Sequence, residues 1–243
     1  MRVSPPVNSM QGAIPQFSGV KNTMSNKHLD PALERRRRHH IMLSVVPRLL
    51  NRHLAPLLGL RRFLFILRLF ALAPRYRVRF ARPADDGGMQ EVKRTFLLVG
   101  VLYNELCLAV GESTAFATTH AFLFDLACAV QRQAYLPPLP QARSWERFHE
   151  EHAAQFKEGF IRNNENDGIV SSEREVRLHI VRCRFYEAFR DMGNAALTEA
   201  FCRSDEVVFN EYSAGMRFHR GLEAPNTIAR GGQRCVFVYE RLE

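Results

Sequence analysis

Two long apolar segments separated by a single glycine constrain the fold of this 243-residue chain more than any other feature. Residues 89–110 and 112–135 are rich in aliphatic and aromatic side chains, and Gly111 lies between them. Each segment is several times longer than an ordinary strand, so the pattern predicts two largely buried helices. The sequence Pro-Pro-Leu-Pro at 137–140 predicts the end of the second helix, because proline cannot continue a helix interior.

Strand patterns occur mainly towards the C-terminus. Residues 175–183 alternate so that Val176, Leu178 and Ile180 share one face. The other elements predicted in the second half are a helix from Ser144 to about Phe160, short helices at 185–191 and 195–202, strands at 216–220 and 234–239, and loops at 163–168 and 221–232. Helices come first and strands last, which predicts an α+β fold: a helical N-terminal half followed by a small antiparallel sheet with short helices.

The N-terminal third divides into two regions of different composition. Residues 1–29 are rich in Pro, Gly, Ser and Asn without apolar periodicity, which predicts a disordered tail. Residues 30–82 form a basic amphipathic segment, with 13 arginines and no acidic residue from Arg35 to Arg82. We expect helices over 30–73, broken by prolines at positions 47 and 56, and a strand over 75–81, where arginines alternate with Tyr, Val and Phe. Residues 83–243 are expected to form the α+β domain.

Two interpretations of the basic segment stay open. Its helices can pack on the core with the arginine head groups in water. Alternatively, they can lie on an anionic membrane surface or on a partner protein. Arginines interrupt the apolar stretches well before the ~20 residues that a membrane-spanning helix requires, so we expect at most peripheral membrane contact.

Charge and cysteine usage exclude several classes of protein. The net charge is +9, and the 13 arginines of the basic segment leave about −4 for the rest of the chain, so no nucleic-acid partner is expected. The five cysteines are odd in number, widely spaced and without a Cys-x-x-Cys pair, unlike a secreted disulfide framework. With no signal-peptide pattern, a cytoplasmic location is expected, with peripheral membrane contact through the basic segment as the alternative left open above. The sequence carries no information on the oligomeric state.

Candidate catalytic residues are concentrated near the C-terminus. The chain has no dinucleotide fingerprint, phosphate-binding loop, zinc-protease motif or nucleophile elbow. It does carry Cys183, the sequence Cys202-Arg203-Ser204-Asp205, the sequence Arg217-Phe218-His219-Arg220 and a turn-like stretch that leads to Cys235. Cysteines and carboxylates of this kind are the groups that nucleophilic and acid–base catalysis use.

This C-terminal set resembles the L-2-amino-thiazoline-4-carboxylic acid hydrolase family. The resemblance covers roughly 65 residues and rests on Cys183, Tyr186, Gly193, Leu197, Cys202, Asp205, Arg220, Thr227-Ile228-Ala229-Arg230-Gly231 and Cys235-Val236-Phe237. Val236 stands where the family pattern has an aspartate. The resemblance implies hydrolytic opening of a cyclic amidine ring at a C–N bond, giving a carbamoyl-cysteine on a route to L-cysteine, and it makes residues 83–243 a hydrolase-like domain.

The implied substrate sets specific demands on the protein. Its amidinium-like group requires a carboxylate, for which Asp205 and Glu112 are candidates, and its own carboxylate requires a cation, for which Arg220 is the candidate. Thr227, in the turn, is a further substrate-binding candidate. Attack on the ring carbon uses a cysteine thiolate, or else water with Asp205 or His219 as general base. We expect no cofactor.

Local sequence ranks the three cysteines. Cys202, next to an arginine and three residues before Asp205, ranks first as nucleophile. Cys183 lies between two arginines and follows closely, whereas the apolar neighbours of Cys235 favour a packing role.

Other arrangements stay open. The three cysteines can instead bind a metal with Asp205 or His219, although the close ligand pairs of zinc sites are missing and no metal is predicted. A binding module without enzymatic activity, similar to 4-vinyl-reductase-type sensor domains, is the main alternative function. A membrane-associated accessory protein acting through residues 35–82 is another.

Overall fold

The computed structural model describes residues 35–36, 39–136, 143–150 and 160–242. Within them, the N-terminal half is helical, with a π-helical turn at Ile41–Val45 and a 3-10 turn at Gly59–Arg61. Its helices are α1 (Val46–Leu58), α2 (Arg62–Phe80), α3 (Gly87–Val110) and α4 (Glu112–Tyr135). The predicted tail at 1–29 lies outside the described residues.

The second half combines four strands with short helices. Residues 145–150 are helical, and a 3-10 turn at Phe160–Asn163 precedes the sheet. The other elements are β1 (Glu165–Ser171), β2 (Glu175–Arg182), α5 (Arg184–Asp191), a 3-10 turn (Ala195–Thr198), α6 (Glu199–Asn210), β3 (Met216–His219), a 3-10 turn (Ile228–Arg230) and β4 (Cys235–Arg241). This order confirms the predicted α+β class.

The two long helices lie close to their predicted bounds, although α3 begins at Gly87, two residues earlier than predicted. Asp86 caps α3, where its carboxylate accepts the backbone N–H of Met89 at 2.9 Å. Gly111 separates α3 from α4 with a φ of +83°, a conformation that side-chain-bearing residues rarely adopt. Ser144 caps the 145–150 helix by accepting the N–H of Arg147 at 3.2 Å. The predicted continuation of that helix towards residue 160 lies largely outside the described residues.

The predicted strand at 75–81 is wrong, because residues 75–80 form the last turns of α2, which ends before Ala81. Tyr76 and Phe80, four residues apart, are both buried on one helix face, whereas Val78 is 78% exposed. A helix and a strand can both place Tyr76 and Phe80 on the same side, so the spacing of these two residues does not distinguish a helix from a strand. Pro74 lies inside α2 without ending it.

Three boundaries also differ from prediction. Pro47 lies in the first turn of α1 and Pro56 inside that helix, whereas the break falls at Gly59, with a φ of +52°. The loop predicted at 163–168 overlaps β1, which begins at Glu165. The helix predicted to end at residue 202 runs to Asn210, so Asp205 lies within a helix instead of a turn.

The strands form one antiparallel sheet in the order β1-β2-β4-β3. The central pair is β2 with β4, in a register that places Ile180 opposite Cys235 and Leu178 opposite Phe237. Because side chains alternate along a strand, Val176, Leu178 and Ile180 all point into the buried layer, as predicted.

Two apolar cores meet along one boundary. The helical core contains residues of α1 to α6, and a second, strongly aromatic core lies under the sheet. Leu69, Tyr76 and Phe80 place α2 in the helical core together with α3. Phe185, at the start of α5, packs against both cores. The candidate catalytic residues lie at this boundary, where α4, α6 and the sheet come together. The proposed division of the chain at residue 82 stays a prediction.

Candidate functional site

The structure brings the three C-terminal cysteines together from three different elements. Cys183 follows β2 and precedes α5, Cys202 lies on α6, and Cys235 begins β4. All three are buried free thiols. The Cys183 thiol donates a hydrogen bond to the Cys235 sulfur. Cys202 is close enough to raise the pKa of Cys183, and Cys235 is close enough to raise the pKa of Cys202. The cluster therefore needs the sheet and α6 to be folded against one another.

Cys235 is the cysteine whose surroundings favour a thiolate. The hydrogen bond from Cys183 lowers the pKa of Cys235 to about 7, in opposition to burial. The backbone N–H of Ile228 also donates to its sulfur, at 3.2 Å, and the nearby Arg220 guanidinium acts in the same direction. Conversely, the hydrogen bond to Cys235 together with burial raises the pKa of Cys183 well above its usual range. The pair therefore loses its first proton from Cys235.

The turn at 227–232 places the Ile228 N–H against this sulfur. The carbonyl of Thr227 accepts the N–H of Arg230 at 3.1 Å and that of Gly232 at 2.9 Å, which closes the turn. Gly231 has a φ of +89°. A Cβ on Gly232 would lie 2.4 Å from the carbonyl oxygen of Pro225, so only glycine fits there. The Thr-Ile-Ala-x-Gly sequence thus forms a turn that directs a backbone N–H donor at the Cys235 sulfur.

Asp205 and Arg220 form a buried ion pair beside the cysteines. One Arg220 Nη atom binds one Asp205 carboxylate oxygen, and Gln131 Nε2 on α4 donates to the other at 2.5 Å. Burial raises the pKa of Asp205 to about 6, although Arg220 and Gln131 oppose the shift. A carboxyl group that titrates near neutrality can both donate and accept a proton during catalysis.

Arg220 retains hydrogen-bonding capacity that the described residues do not fill. Its guanidinium lies 4.0 Å from the ring centre of Phe237 and also approaches the carbonyl oxygen of Cys202. Among the described residues, no partner accepts from its Nε and Nη1 atoms, although both are buried. The buried hydroxyl of Thr227 is likewise unpaired within this part of the chain. Buried donors of this kind mark a place where a polar ligand can bind.

The environment of Cys202 differs from that of Cys235. Burial raises the pKa of the Cys202 thiol to about 11, which leaves it protonated at neutral pH. Its backbone carbonyl accepts a hydrogen bond from Arg220, whose charge offsets only part of the effect of burial on the thiol pKa. The ranking of Cys202, together with Asp205, as the first catalytic candidate stays a prediction. The geometry favours Cys235 as the thiolate.

Two other candidates lie apart from the cluster. Glu112 begins α4, whereas Gln131, which contacts Asp205, lies 19 residues along the same helix, about 28 Å away at 1.5 Å per residue. Glu112 instead accepts a hydrogen bond from the Tyr103 hydroxyl at 3.4 Å. His219 Nε2 lies 3.3 Å from a carboxylate oxygen of Glu240 on β4. Neither residue shares the site of Cys235.

Sequence reasoning missed Gln131 and the Ile228 N–H. Gln131 is a buried amide on a helix that the sequence predicts to be largely buried, and buried amides require partners, so its position was a usable signal. The Ile228 N–H is a backbone group that no side-chain pattern identifies.

Val236, which replaces the expected aspartate, points away from the thiols. It lies between Cys235 and Phe237 on β4, and both of those neighbours face the buried layer. Its side chain contacts the Gly221 backbone, where a Cβ would come within 3.1 Å of Val236 Cγ1. An aspartate at 236 would therefore not extend towards the sulfur of Cys235. Over the part of the chain that the structure describes, no group of three His, Cys, Asp or Glu side chains has a geometry suited to a metal ion.

Comparison with protein-family models decides the family. The model of the L-2-amino-thiazoline-4-carboxylic acid hydrolases matches residues 90–239, which is more than half of the chain. The chain belongs to this family. The match includes nearly all of both long helices, α6 and most of the sheet, so it contains the three clustered cysteines, Gln131, Asp205 and Arg220. Neither the curated proteins nor the solved structures gave a match.

Proposed function

We propose that this member of the thiazoline carboxylate hydrolase family opens the ring of L-2-amino-thiazoline-4-carboxylate by cleaving a C–N bond, and that the product is a carbamoyl-cysteine on a route to L-cysteine. One observation carries the proposal: the Cys235 sulfur accepts two hydrogen bonds beside the buried Asp205–Arg220 pair. A nucleophile, a carboxyl group that titrates near neutrality and a guanidinium with unpaired donors together meet the demands of this substrate.

The charges of the substrate complement the ion pair. The substrate carboxylate accepts from the unpaired Nε or Nη1 donors of Arg220, and its amidinium-like group lies against Asp205. Because the substrate carries both charges, it can insert at the pair without leaving either Asp205 or Arg220 uncompensated. The Thr227 hydroxyl supplies a further hydrogen bond.

The reaction divides into two steps around Cys235. The thiolate adds to the ring carbon that bears the sulfur and two nitrogens. The ionised Asp205 carboxylate then takes a proton from the exocyclic amino group and delivers it to the ring nitrogen, so the bond from the carbon to this nitrogen breaks and the nitrogen leaves as an amine. The carbon retains the exocyclic nitrogen, now an imine, and two sulfurs. Water adds to the carbon as Asp205 moves a proton from the water to the imine nitrogen, and Cys235 departs as thiolate while the hydroxyl proton passes through Asp205 to the product amine. One water is consumed and the enzyme is regenerated.

The site is closed in this structure, since Cys235 is only 4% exposed. The loop between β3 and β4 carries Ile228, whose N–H contacts the Cys235 sulfur, and also Leu222, which is 94% exposed. We propose that this loop moves to admit the substrate and then returns the Ile228 N–H to the sulfur. Closure would exclude bulk water until the first step is complete.

The test is incubation with the thiazoline followed by mass spectrometry of products and of the intact protein. We expect Cys235→Ala to abolish turnover, and Cys202→Ala, as the matched control in the same cluster, to retain it. Cleavage of the C–N bond leaves the carbamoyl group on sulfur, so no free thiol appears in a colorimetric thiol assay.

Three outcomes would contradict parts of this mechanism. A free thiol in the product would indicate C–S cleavage. Full turnover by Cys235→Ala, combined with none by Asp205→Asn, would indicate direct attack by water. Saturable binding of the thiazoline without any product would favour the binding-module alternative.

A further inference from the structure

Helix α2 carries an apolar surface that the fold leaves in solvent. Leu64, Leu67 and Val78 on α2 are 73%, 66% and 78% exposed, and Leu60 in the preceding turn is 80% exposed. Phe63 and Phe70 extend the same surface. Among the described residues, exposed large apolar side chains are concentrated here, and contiguous surfaces of this kind mark interaction sites. We call residues 60, 63, 64, 67, 70 and 78 the apolar stripe.

The apolar stripe lies opposite the face that α2 buries. Successive residues of a helix are turned by about 100°, so residues two positions apart lie on nearly opposite sides. Leu67 is two residues from buried Leu69, and Val78 is two residues from both Tyr76 and Phe80, which are also buried. The helix therefore has one apolar face on the core and a second on the outside, where a soluble protein normally has polar residues.

Positive charge flanks the stripe without any negative charge nearby in sequence. Arg61, Arg68, Arg75, Arg77 and Arg79 all lie in or next to α2, and no acidic residue occurs between positions 35 and 82. Arg68 reaches across to Glu105 on α3, whereas the Arg75 and Arg77 side chains are exposed. An apolar face bordered by arginines is the pattern of helices that lie in the plane of a membrane surface.

We propose that the apolar stripe of α2 docks on a membrane surface that contains anionic phospholipids. The membrane supplies a partner for each feature of this surface: an apolar layer for the leucines and phenylalanines, and negative charge for the arginines. A second copy of the chain in a two-fold contact would bring the same arginines against one another. The proposal is independent of the reaction at Cys235.

A spanning arrangement does not fit α2, since its 19 residues include five arginines. Among the described residues, one helix, α4, is long and apolar enough to cross a bilayer by length and composition. In this fold α4 packs against α1, α3 and α6 and contributes to the helical core.

The experiment is co-sedimentation of the full chain with vesicles of phosphatidylcholine alone and of phosphatidylcholine mixed with phosphatidylserine. We expect binding to the mixed vesicles that weakens with added salt. Leu60→Ser, Leu64→Ser and Leu67→Ser together should weaken it by about tenfold for each leucine. Replacing Arg61, Arg75 and Arg77 by glutamine should weaken it by about a hundredfold in total.

Val170→Ser is the matched control, because Val170 is 66% exposed, as Leu67 is, but lies on β1 in the sheet. It should bind mixed vesicles like the unaltered chain, and circular dichroism should show that every variant is folded. Absence of binding to the mixed vesicles, or binding that the triple leucine variant retains, would overturn the proposal. Light scattering that shows a concentration-dependent dimer, lost in the same variant, would assign the stripe to self-association instead.

Discussion

Replacing Cys183 by alanine tests the electrostatic basis of the proposed nucleophile. The hydrogen bond that Cys183 donates is the largest cause of the lowered pKa of Cys235, which is about 7 against an ordinary value of 9.0. Without this donor, the pKa of Cys235 should return towards 9. The thiolate fraction at pH 7 would then fall from about one half to about one hundredth, so the rate at pH 7 should fall by roughly 50-fold.

The pKa of Cys235 also determines the direction in which activity changes with pH. The unaltered enzyme should gain activity as the pH rises through about 7, where Cys235 loses its proton. The Cys183→Ala variant should gain it about two pH units higher, and near pH 9 to 10 it should approach the unaltered rate. Cys183→Ser retains a hydrogen-bond donor and should keep the midpoint near 7.

The assay is the pH profile of thiazoline consumption, together with a titration of the ultraviolet absorbance of the thiolate that does not depend on turnover. Cys107→Ala, on α3 outside the cluster, should leave both measurements unchanged. If Cys183→Ala lowered the rate equally at every pH, with the absorbance midpoint still near 7, Cys183 would have only a packing role. The reasoning about the Cys235 thiolate would then be refuted.

Three further predictions follow from the packing. Asp205→Asn should lower the free energy of unfolding by about 3–5 kcal/mol in chemical denaturation, because it leaves the Arg220 charge buried without its partner. Gly232→Ala should move the turn away from Cys235 and reduce activity by more than tenfold, measured by steady-state kinetics, while most of the chain stays folded. Tyr76→Ala should destabilise the chain by about 3–5 kcal/mol, and Val78→Asp should change the unfolding free energy by less than about 0.5 kcal/mol. The opposite order for this last pair would support a strand at 75–81.

The long helices could be predicted from sequence because their signals are local. Gly111 ends one apolar run and begins the next, and the capping residue Asp86 lies immediately before α3. The strands β2 and β4 were also predictable, since each has an apolar face that recurs every second residue. Where residues within one helix or strand decide its structure, the sequence therefore predicts that element correctly.

Errors arose where distant contacts decide the structure. β1 is polar and mostly exposed, so its sequence resembles a loop, and pairing with β2 is what makes it a strand. At 75–81, the prediction used a short period-two pattern and ignored the preceding helix, which begins at Arg62 and continues through these residues to Phe80. Glu112 was a reasonable partner for a cation, and the sequence correctly places it at the start of a helix, but nothing in the sequence shows that the far end of this helix is the part that contacts Asp205.

The choice between Cys202 and Cys235 as the thiolate also depends on contacts that the sequence does not show. Cys202 has an arginine next to it in sequence, yet Arg203 lies over the ring of Phe124, 5.6 Å from its centre, and burial dominates at the Cys202 sulfur. The immediate neighbours of Cys235 are apolar, yet its sulfur receives hydrogen bonds from positions 183 and 228. A thiol responds to the groups that surround it in space, and a strand can place an apolar sequence among polar donors. The Thr-Ile-Ala-x-Gly turn and the cysteine at the end of β2 are therefore best understood as one arrangement, because each supplies a donor to the same sulfur.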